Sequence, residues 1–386
     1  MAVTLLITDR HLAVQGDPLT GWTDLEVDLN FNQPASGSVT LPAWPSAMDQ
    51  LQPGNRLVVI RDGDIWCAGP LEEPQSVTWD LESNAAPGTV TASFSDDLAR
   101  VAGYLTYQNP AAAFAGQDPD GTVVRTITSA SAEVIIRTLV NENCGPGAIS
   151  ARRIEQLVLG AVAGVGSTTS ISTRFEALLD VCRTLAAPDG LGFRTQQVGD
   201  EIRFGVYAPV DRTATARFST ALGNLRSVSY SLTAPLATAE LVQGGDPSAA
   251  SGVYVEVDSG SAATWYRIEK LQDQTGVADD LDGELTQAGT AAFADDNPTS
   301  SLSTVTVDTD DLRAGRDFFL GDRVTVVLPS GQEVADTVRT ISLAATPDTG
   351  EVVTSVIGNG DQTTVTATLK TVRELGRKVA RLQTRR

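Results

Sequence analysis

The chain has 386 residues, enough for about two to four domains with separate cores. Its 48 acidic residues outnumber 28 basic ones for a net charge of −20, and so acidic a surface repels phosphate backbones and anionic membranes, which excludes general nucleic-acid binding. Cys67, Cys144 and Cys182 have no paired spacing, so neither a zinc site nor a disulfide framework is indicated and three reduced, mostly buried thiols are expected.

The opening "MAVTLLITDR" lacks the basic residues and the long apolar run of a signal peptide, and no window reaches the roughly 18 apolar residues of a membrane span. The expectation is a soluble protein made in the cytoplasm, with no direct membrane insertion. In "GWTDLEVDLNFNQPASGSVTLPA", residues Leu25, Val27, Leu29 and Phe31 alternate with polar ones, Pro34 and Gly37 interrupt, and Val39 and Leu41 resume the pattern, which predicts antiparallel strands. Residues 51–71, "LQPGNRLVVIRDGDIWCAGPL", place two apolar runs around Asp62-Gly63, a pair suited to the tight primed turn of a hairpin. Residues 1–104 therefore read as a first β-domain.

The period then changes. In "SAEVIIRTLVNEN", Ile135, Ile136, Leu139 and Val140 share one helical face behind Ser131 as N-cap. A second helix is predicted in "TRFEALLDVCRTLAAPDG", where Thr173 and Glu176 match a capping box, Phe175, Leu178, Leu179, Cys182 and Leu185 make the buried stripe, and Pro188 with Gly190 stops it. Two short strands around Gly199-Asp200 complete an inserted α+β domain over 105–217.

After Gly223 the first pattern returns: Val228, Tyr230 and Leu232 alternate, Pro235 interrupts, and Leu241 and Val242 follow. An acidic, Ala-rich excursion over 271–302 carries a helix near Glu284 to Phe293. "LGDRVTVVLPSGQEV", residues 320–334, then repeats the opening hairpin, with Gly321, Asp322, Arg323, Val324 and Val326 aligned to Gly54, Asn55, Arg56, Leu57 and Val59. Gly-Asx turns before strands are common, but two echoes in the same order argue against coincidence. A second β-domain is expected over 218–270 and 303–360.

Residues 361–386 form a basic amphipathic segment. From 370 onward seven basic residues face Glu374 alone, for +6, and Val372, Leu375, Val379 and Leu382 step by three, four and three as an a/d seam. The segment reads as an oligomeric helix or a dock onto an acidic partner; the alternatives are a helix folded back on its own domain and a frayed tail.

No catalytic, cofactor-binding or metal-binding residue is assigned, and no enzyme is expected. His11 is the only histidine and has no nucleophile elbow beside it. "GAVAGVGSTTS", residues 160–170, lacks the lysine of a phosphate-binding loop, and "ADDLDGE", residues 278–284, has Ala278 and Gly289 where a calcium loop needs ligands. Asp96 and Asp97 are sequence neighbours, which does not place two carboxyls across a cleft.

With these pieces in place, the chain resembles the minor tail proteins of actinobacteriophage siphoviruses that serve as tail-tip hubs, related in fold to the baseplate hubs of contractile tails. The resemblance runs in order through "NQPASGSVTLP", "LQPGNRLVVIRDG", "AEVIIRTLVNEN", "ARRI", "RFEALLDVCRTLAAPDGLGFR", "APVDR", "GNL", "WYRIE" and "FFLGDRVTV". It implies a β-rich α+β fold with two related antiparallel β-barrel, tail-tube-like domains, an inserted small α+β domain and a C-terminal helix. It also implies a homotrimer, so that three chains of two barrels each present six units to a sixfold tube.

The partners so implied are a tail tube or distal tail protein, a tape measure protein, downstream tail-tip or fibre proteins, and DNA only in transit past an acidic channel wall. The location implied is the virion tail tip, with assembly in the host cytoplasm. Expected interface residues are Arg56, Arg323, Val372, Leu375, Val379 and Leu382, with an intrachain ion pair as the alternative for each arginine. No peptidase or fibre segment is seen, so tip enzymology is expected on another chain. The rival function is a carbohydrate-binding or glycan-cleaving host-recognition protein at the tail tip, with Trp22, Trp44, Trp66, Trp79 and Trp265 as stacking candidates; the strand-like settings of Trp22 and Trp66 favour packing instead.

Overall fold

The computed structural model describes residues 3–79, 87–118, 123–245, 253–274, 284–296, 299–347 and 350–358. Two compact units divide the chain: residues up to 228 with those from 304 onward, and Ser229–Ser303. Among the described residues no helix is long and apolar enough to cross a membrane.

The first strands are β1 (Val3–Thr8), β2 (Asp24–Asn30), β3 (Gln33–Pro42), β4 (Arg56–Arg61), β5 (Asp64–Thr78) and β6 (Thr89–Ser95), with short helices α1 (Pro45–Gln50) and α2 (Leu98–Ala102). The alternation read in the sequence is real, since Leu25, Val27, Val39 and Leu41 are all buried. β4 and β5 form the expected hairpin, and Asp62 and Gly63 both have positive φ, 55° and 94°, as a primed turn requires. β5 outruns its partner: Asp64 to Pro70 pair with β4, and from Leu71 onward the strand pairs with β6. The switch falls just after Gly69 and Pro70, and at Gly69 a Cβ would stand 2.2 Å from the Ser95 carbonyl oxygen.

The inserted module holds β7 (Arg125–Ser131), α3 (Ala132–Asn143), β8 (Leu157–Leu159), β9 (Thr168–Thr173), α4 (Leu178–Ala186), β10 (Gly192–Val198) and β11 (Glu201–Tyr207). Ser131 caps α3 as expected, its Oγ accepting from the Val134 amide at 3.4 Å. Ile135, Ile136, Leu139 and Val140 of α3 pack with Leu178, Leu179, Cys182 and Leu185 of α4 and with Phe193, Ile202 and Phe204 of the sheet in one core. The capping box is not used. Thr173 ends β9 and binds the Glu176 carboxylate at 2.5 Å, while α4 starts only at Leu178 behind Ala177. Phe175 sits between them at φ 51°, and Thr106 exchanges backbone hydrogen bonds with Phe175 and Glu176, so this segment is a strand-to-helix corner rather than a first helical turn.

The remaining elements are β12 (Arg217–Phe218), β13 (Leu225–Thr233), β14 (Ala239–Gly244), β15 (Val253–Asp258), β16 (Glu269–Gln274), α5 (Glu284–Asp296), β17 (Thr299–Thr306), β18 (Arg323–Val327), β19 (Glu333–Thr346) and β20 (Gly350–Ile357). The late hairpin reproduces the early one in register. Arg56 to Val59 face Pro70 to Cys67, and Arg323 to Val326 face Thr337 to Val334, the same offsets counted from each Gly-Asx pair. Both glycines are left-handed, Gly54 at φ 87° and Gly321 at φ 88°. The Asn55 carbonyl accepts from the Leu71 amide at 3.0 Å, and the Asp322 carbonyl from the equivalent Val338 amide at 2.9 Å. β19 also outruns its partner, pairing beyond the hairpin with β2 on one side and β20 on the other.

That extension joins the two hairpins in one sheet. One ten-stranded sheet runs β1-β4-β5-β6-β3-β2-β19-β18-β12, with β20 on β19, and ends at β1 and β12; no closed barrel is found among the described residues. The strand echo ahead of the hairpins is likewise local to the sequence. β2 and β3 pair with each other across a tight turn at Asn32, φ 56°, whereas β13 pairs with β17 and β14 lies between β15 and β16. Residues 234–238 between β13 and β14 form no such turn, and the second unit already begins at Ser229, within β13.

Replacing Gly69 with Ala drives a methyl group into backbone at Ser95 and Asp96, and the loss in a urea titration should be about 3 kcal/mol. Gly199→Ala, with open space around its Cβ, should lose only about 1 kcal/mol, from its positive φ.

Candidate functional site

The two aligned arginines have different fates. Arg56 is 1% exposed. Its Nε donates to Asp97 Oδ1 at 3.1 Å, Nη1 to Thr8 Oγ1 at 3.0 Å and Nη2 to Gln197 Oε1 at 3.1 Å, with a further short contact from Nη2 to Asp97 Oδ2. Burial raises the Asp97 carboxyl from its ordinary value while Arg56 opposes that rise. Arg56 is thus buried in an intrachain ion pair with Asp97. Arg323 is exposed, in a shallow depression with Arg217 and Glu333.

Each hairpin anchors its Asx side chain, but to different groups. Asn55 Nδ2 donates to the Gln50 carbonyl at 2.8 Å. Asp322, buried, accepts from the Val210 amide at 2.9 Å, the Phe319 amide at 3.0 Å and Arg212 Nε at 2.6 Å.

Beside the Arg56 pair lies a cavity of about 530 Å³, lined by Gln33, Trp66, Asp96, Thr195 and Gln197 among others. Burial pushes the Asp96 carboxyl up to about 7, helped by the Asp97 charge and opposed by amides of Ala35, Leu98 and Ala99. The same burial, followed by the two aspartates, raises the Cys67 thiol well above its ordinary value.

A second charged cluster was not legible in the sequence. Arg61, 6% exposed, makes a forked pair with Glu351 at 3.2 and 3.0 Å, donates to the Ala314 carbonyl at 3.2 Å and lies 4.8 Å from the centre of the Trp66 ring. Arg313 also reaches Glu351, at 3.2 Å, and Asp308 stands 3.5 Å from Arg61 with its carboxyl raised to about 6 by burial. The partners are 290 residues apart, and the one local hint is a charge, Arg61, closing an apolar run.

The other candidates resolve locally. The amides of Ala163 and Val165 bind the Glu133 carboxylate at 2.7 and 2.9 Å, so the glycine-rich loop already holds an anion of its own chain. His11 is exposed and pairs with Glu155 at 3.2 Å. All three cysteines are buried and free. Trp44 and Trp79 are more than half exposed, and Trp22, Trp66 and Trp265 are half-buried. Among the described residues no cluster of His, Cys, Asp and Glu suits a metal. Val372, Leu375, Val379 and Leu382, and residues 278–283, lie outside the described residues.

The β-rich fold of this chain is similar to that of phage tail proteins. It is similar to the 43 kDa tail protein of prophage MuSo2 from Shewanella oneidensis, with a TM-score of 0.55 and 10% identity over 92% of this chain and 97% of that one. It is equally similar to the tail protein from Neisseria meningitidis MC58, with a TM-score of 0.55 and 12% identity over 93% and 97%, and to prophage tail protein gp18 from Listeria monocytogenes EGD-e, with 0.53 and 11% over 96% and 99%. Residues 4–359 match the family model of the Siphovirus ReqiPepy6 Gp37-like protein, and the chain belongs to this family. No curated protein matches it in sequence.

Asp97→Asn leaves Arg56 buried without a counter-charge and should cost about 3–5 kcal/mol in chemical denaturation, whereas Arg323→Ala should stay within about 0.5 kcal/mol. Asp96 gives a pH signature. Between its ordinary 3.8 and about 7 the folded chain holds a proton that the unfolded chain has released, so this group makes stability fall as pH rises through that window. Asp96→Asn should remove that slope, and its advantage over the parent chain should grow from pH 4 to pH 7; a constant difference would refute the assignment.

Proposed function

We propose that the chain is a structural tail-tip hub: three copies form a ring with pseudo-sixfold symmetry that joins the tail tube to the threefold tip and lines the DNA exit channel. The observation that carries this reading is the duplicated hairpin, the same register and the same Asx-to-amide bond at β4–β5 and at β18–β19. Three chains with two such units each present six similar elements about one axis, which reconciles threefold and sixfold neighbours. Family membership and the tail-protein fold point the same way.

The charge distribution suits such a channel. With +6 on residues 370–386, the rest of the chain carries −26, and an acidic wall does not hold passing DNA by releasing its counterions. Arg323 is the proposed contact to a neighbouring subunit or tube protein. A tail tube or distal tail protein, a tape measure protein and downstream tip or fibre proteins are the proposed partners, and the role is structural rather than catalytic.

Sedimentation of the purified chain should give three times its 40.5 kDa mass, and the chain should retain the tube protein in a pull-down. Arg323→Glu should weaken one of these contacts without unfolding the chain. A monomer at every concentration that retains no tail protein, and instead binds glycans on an array, would replace the hub by the carbohydrate-recognition reading.

A further inference from the structure

One loop of the inserted module turns an aromatic side chain to solvent. Residues 109–117, "NPAAAFAGQ", carry no charge, and Phe114, in the short helical turn Phe114–Gly116, is 73% exposed. The loop is held from inside by the buried side chain of Gln117. Its Nε2 donates to the Asn109 carbonyl at 2.8 Å and to the Ala112 carbonyl at 3.0 Å, and its Oε1 accepts from the Asn109 amide at 3.0 Å. Phe175 supports the exposed ring, with its ring centre 6.2 Å from that of Phe114 and 5.7 Å from that of Tyr107. It does so at φ 51°, a conformation that bulky side chains avoid. Loop and support are thus fixed before any partner arrives.

The same unit carries a socket of matching character. The cavity of about 530 Å³, walled by β5 and β10, is lined by Ile65 and Val198, 41% and 45% exposed, and by Leu29, Leu98, Phe193 and Leu320. A cavity of that size takes an aromatic side chain with room to spare. Its charged members do not forbid such a guest. Asp64 and Arg194 are exposed and can stay in water, and burial raises the Asp96 carboxyl to about 7, so that group is partly neutral near neutral pH. The depressions beside Arg323 and Arg61 are instead lined by charged groups, Arg217 and Glu333 in one and Asp308, Arg313 and Glu351 in the other. None of Tyr107, Phe114 and Phe175 lines the β5–β10 cavity, so a chain's own Phe114 does not fill it.

We propose that Phe114 of one copy seats in the β5–β10 cavity of a second copy, so that this chain carries both halves of a head-to-tail contact. A contact whose two sides are different patches of one chain repeats from copy to copy, and it closes into a ring where the rotation allows. Chains of net charge −20 repel one another, and an uncharged loop is a place where two of them can meet. An aromatic side chain that is fixed beforehand and enters an apolar pocket is also the kind of anchor that carries most of an interface's binding energy. The proposal rests on the ring reading, for which it supplies a contact between subunits.

Photocrosslinking of the full-length chain tests it directly, with benzoylphenylalanine in place of Phe114 and isotope-labelled copies mixed with unlabelled ones. Irradiation should join position 114 of one copy to Ile65, Val198 or Leu320 of a copy carrying the other label. Phe114→Asp and, separately, Val198→Lys should each raise the concentration needed for association about tenfold or more in sedimentation. A mixture of the two variants retains one intact pairing, Phe114 of the Val198→Lys copy in the cavity of the Phe114→Asp copy, so it should give dimers and no closed ring. Both substitutions lie at exposed positions, amide exchange in α3 and β11 reports whether each variant keeps its fold, and the crosslink needs neither of them. Trimers that form as readily with Phe114→Asp, or crosslinks confined to one copy or to other residues, would overturn this contact and leave the ring reading standing. A chain that stays monomeric at every concentration would overturn both.

Discussion

A β-strand that outruns its hairpin partner still carries backbone amides and carbonyls that need hydrogen bonds, and this chain meets that requirement twice. β5 leaves β4 after Pro70 and takes β6, and β19 leaves β18 after Thr337 and takes β2 and β20. Because β2 lies near the start of the chain and β19 near its end, the second solution joins the two halves into one sheet. The inserted module and the second unit are then excursions from that frame, and the β2–β19 pairing that closes it spans about 310 residues, the kind of non-local contact that slows folding.

The two buried arginines follow from this geometry. Once β19 has drawn β20 to the sheet, Glu351 stands within reach of Arg61 at the turn of the first hairpin, and their forked pair fixes that turn against the last strand. Arg56 does the same between the hairpin and the α2 entrance at Asp97, reaching Gln197 of the inserted module as well. Buried pairs of this kind add little to stability over a well-packed apolar core, but loss of one partner strands the other's charge. Their effect is selective: a shifted register would leave Arg56 and Arg61 buried without carboxylates.

How much of this is legible in the sequence depends on the distance over which each feature is encoded. The primed turn at Asp62-Gly63, the Ser131 cap, the α3 stripe, the α4 stripe from Leu178 onward without Phe175, and the strand pair around Gly199-Asp200 are each set within a few residues, and each is present. Strand partnership is not encoded that way. Val228, Tyr230 and Leu232 alternate as Leu25, Val27 and Leu29 do, yet β13 finds β17 and β2 finds β3, because alternation states which face is apolar and not which strand lies alongside. The Thr173 and Glu176 pair fails for a related reason: the motif fits a helix start, but pairing of β9 with β7 holds Thr173 extended. Burial of Arg56 beside Asp97 was open to the sequence only as one of two alternatives, since the 41 residues between them carry no signal of proximity.

The duplication itself lies in the backbone and not in the side chains. Register, the left-handed glycine and the Asx carbonyl bond repeat between the hairpins, while the aligned arginine is buried in one and exposed in the other, and the Asx anchors bind different groups. Backbone geometry decides whether an element can occupy a sixfold position, and side chains decide what it touches there. In the ring proposed above, the first hairpin turns its charges inward, to β20 through Arg61 and to Asp97 through Arg56, and so stiffens the subunit. The second keeps Arg323 at the surface, next to Arg217 and Glu333, where a neighbour can reach it. A ring built from such unlike twins can present six equivalent backbones to a tube while each chain still distinguishes its own interior from its contact face.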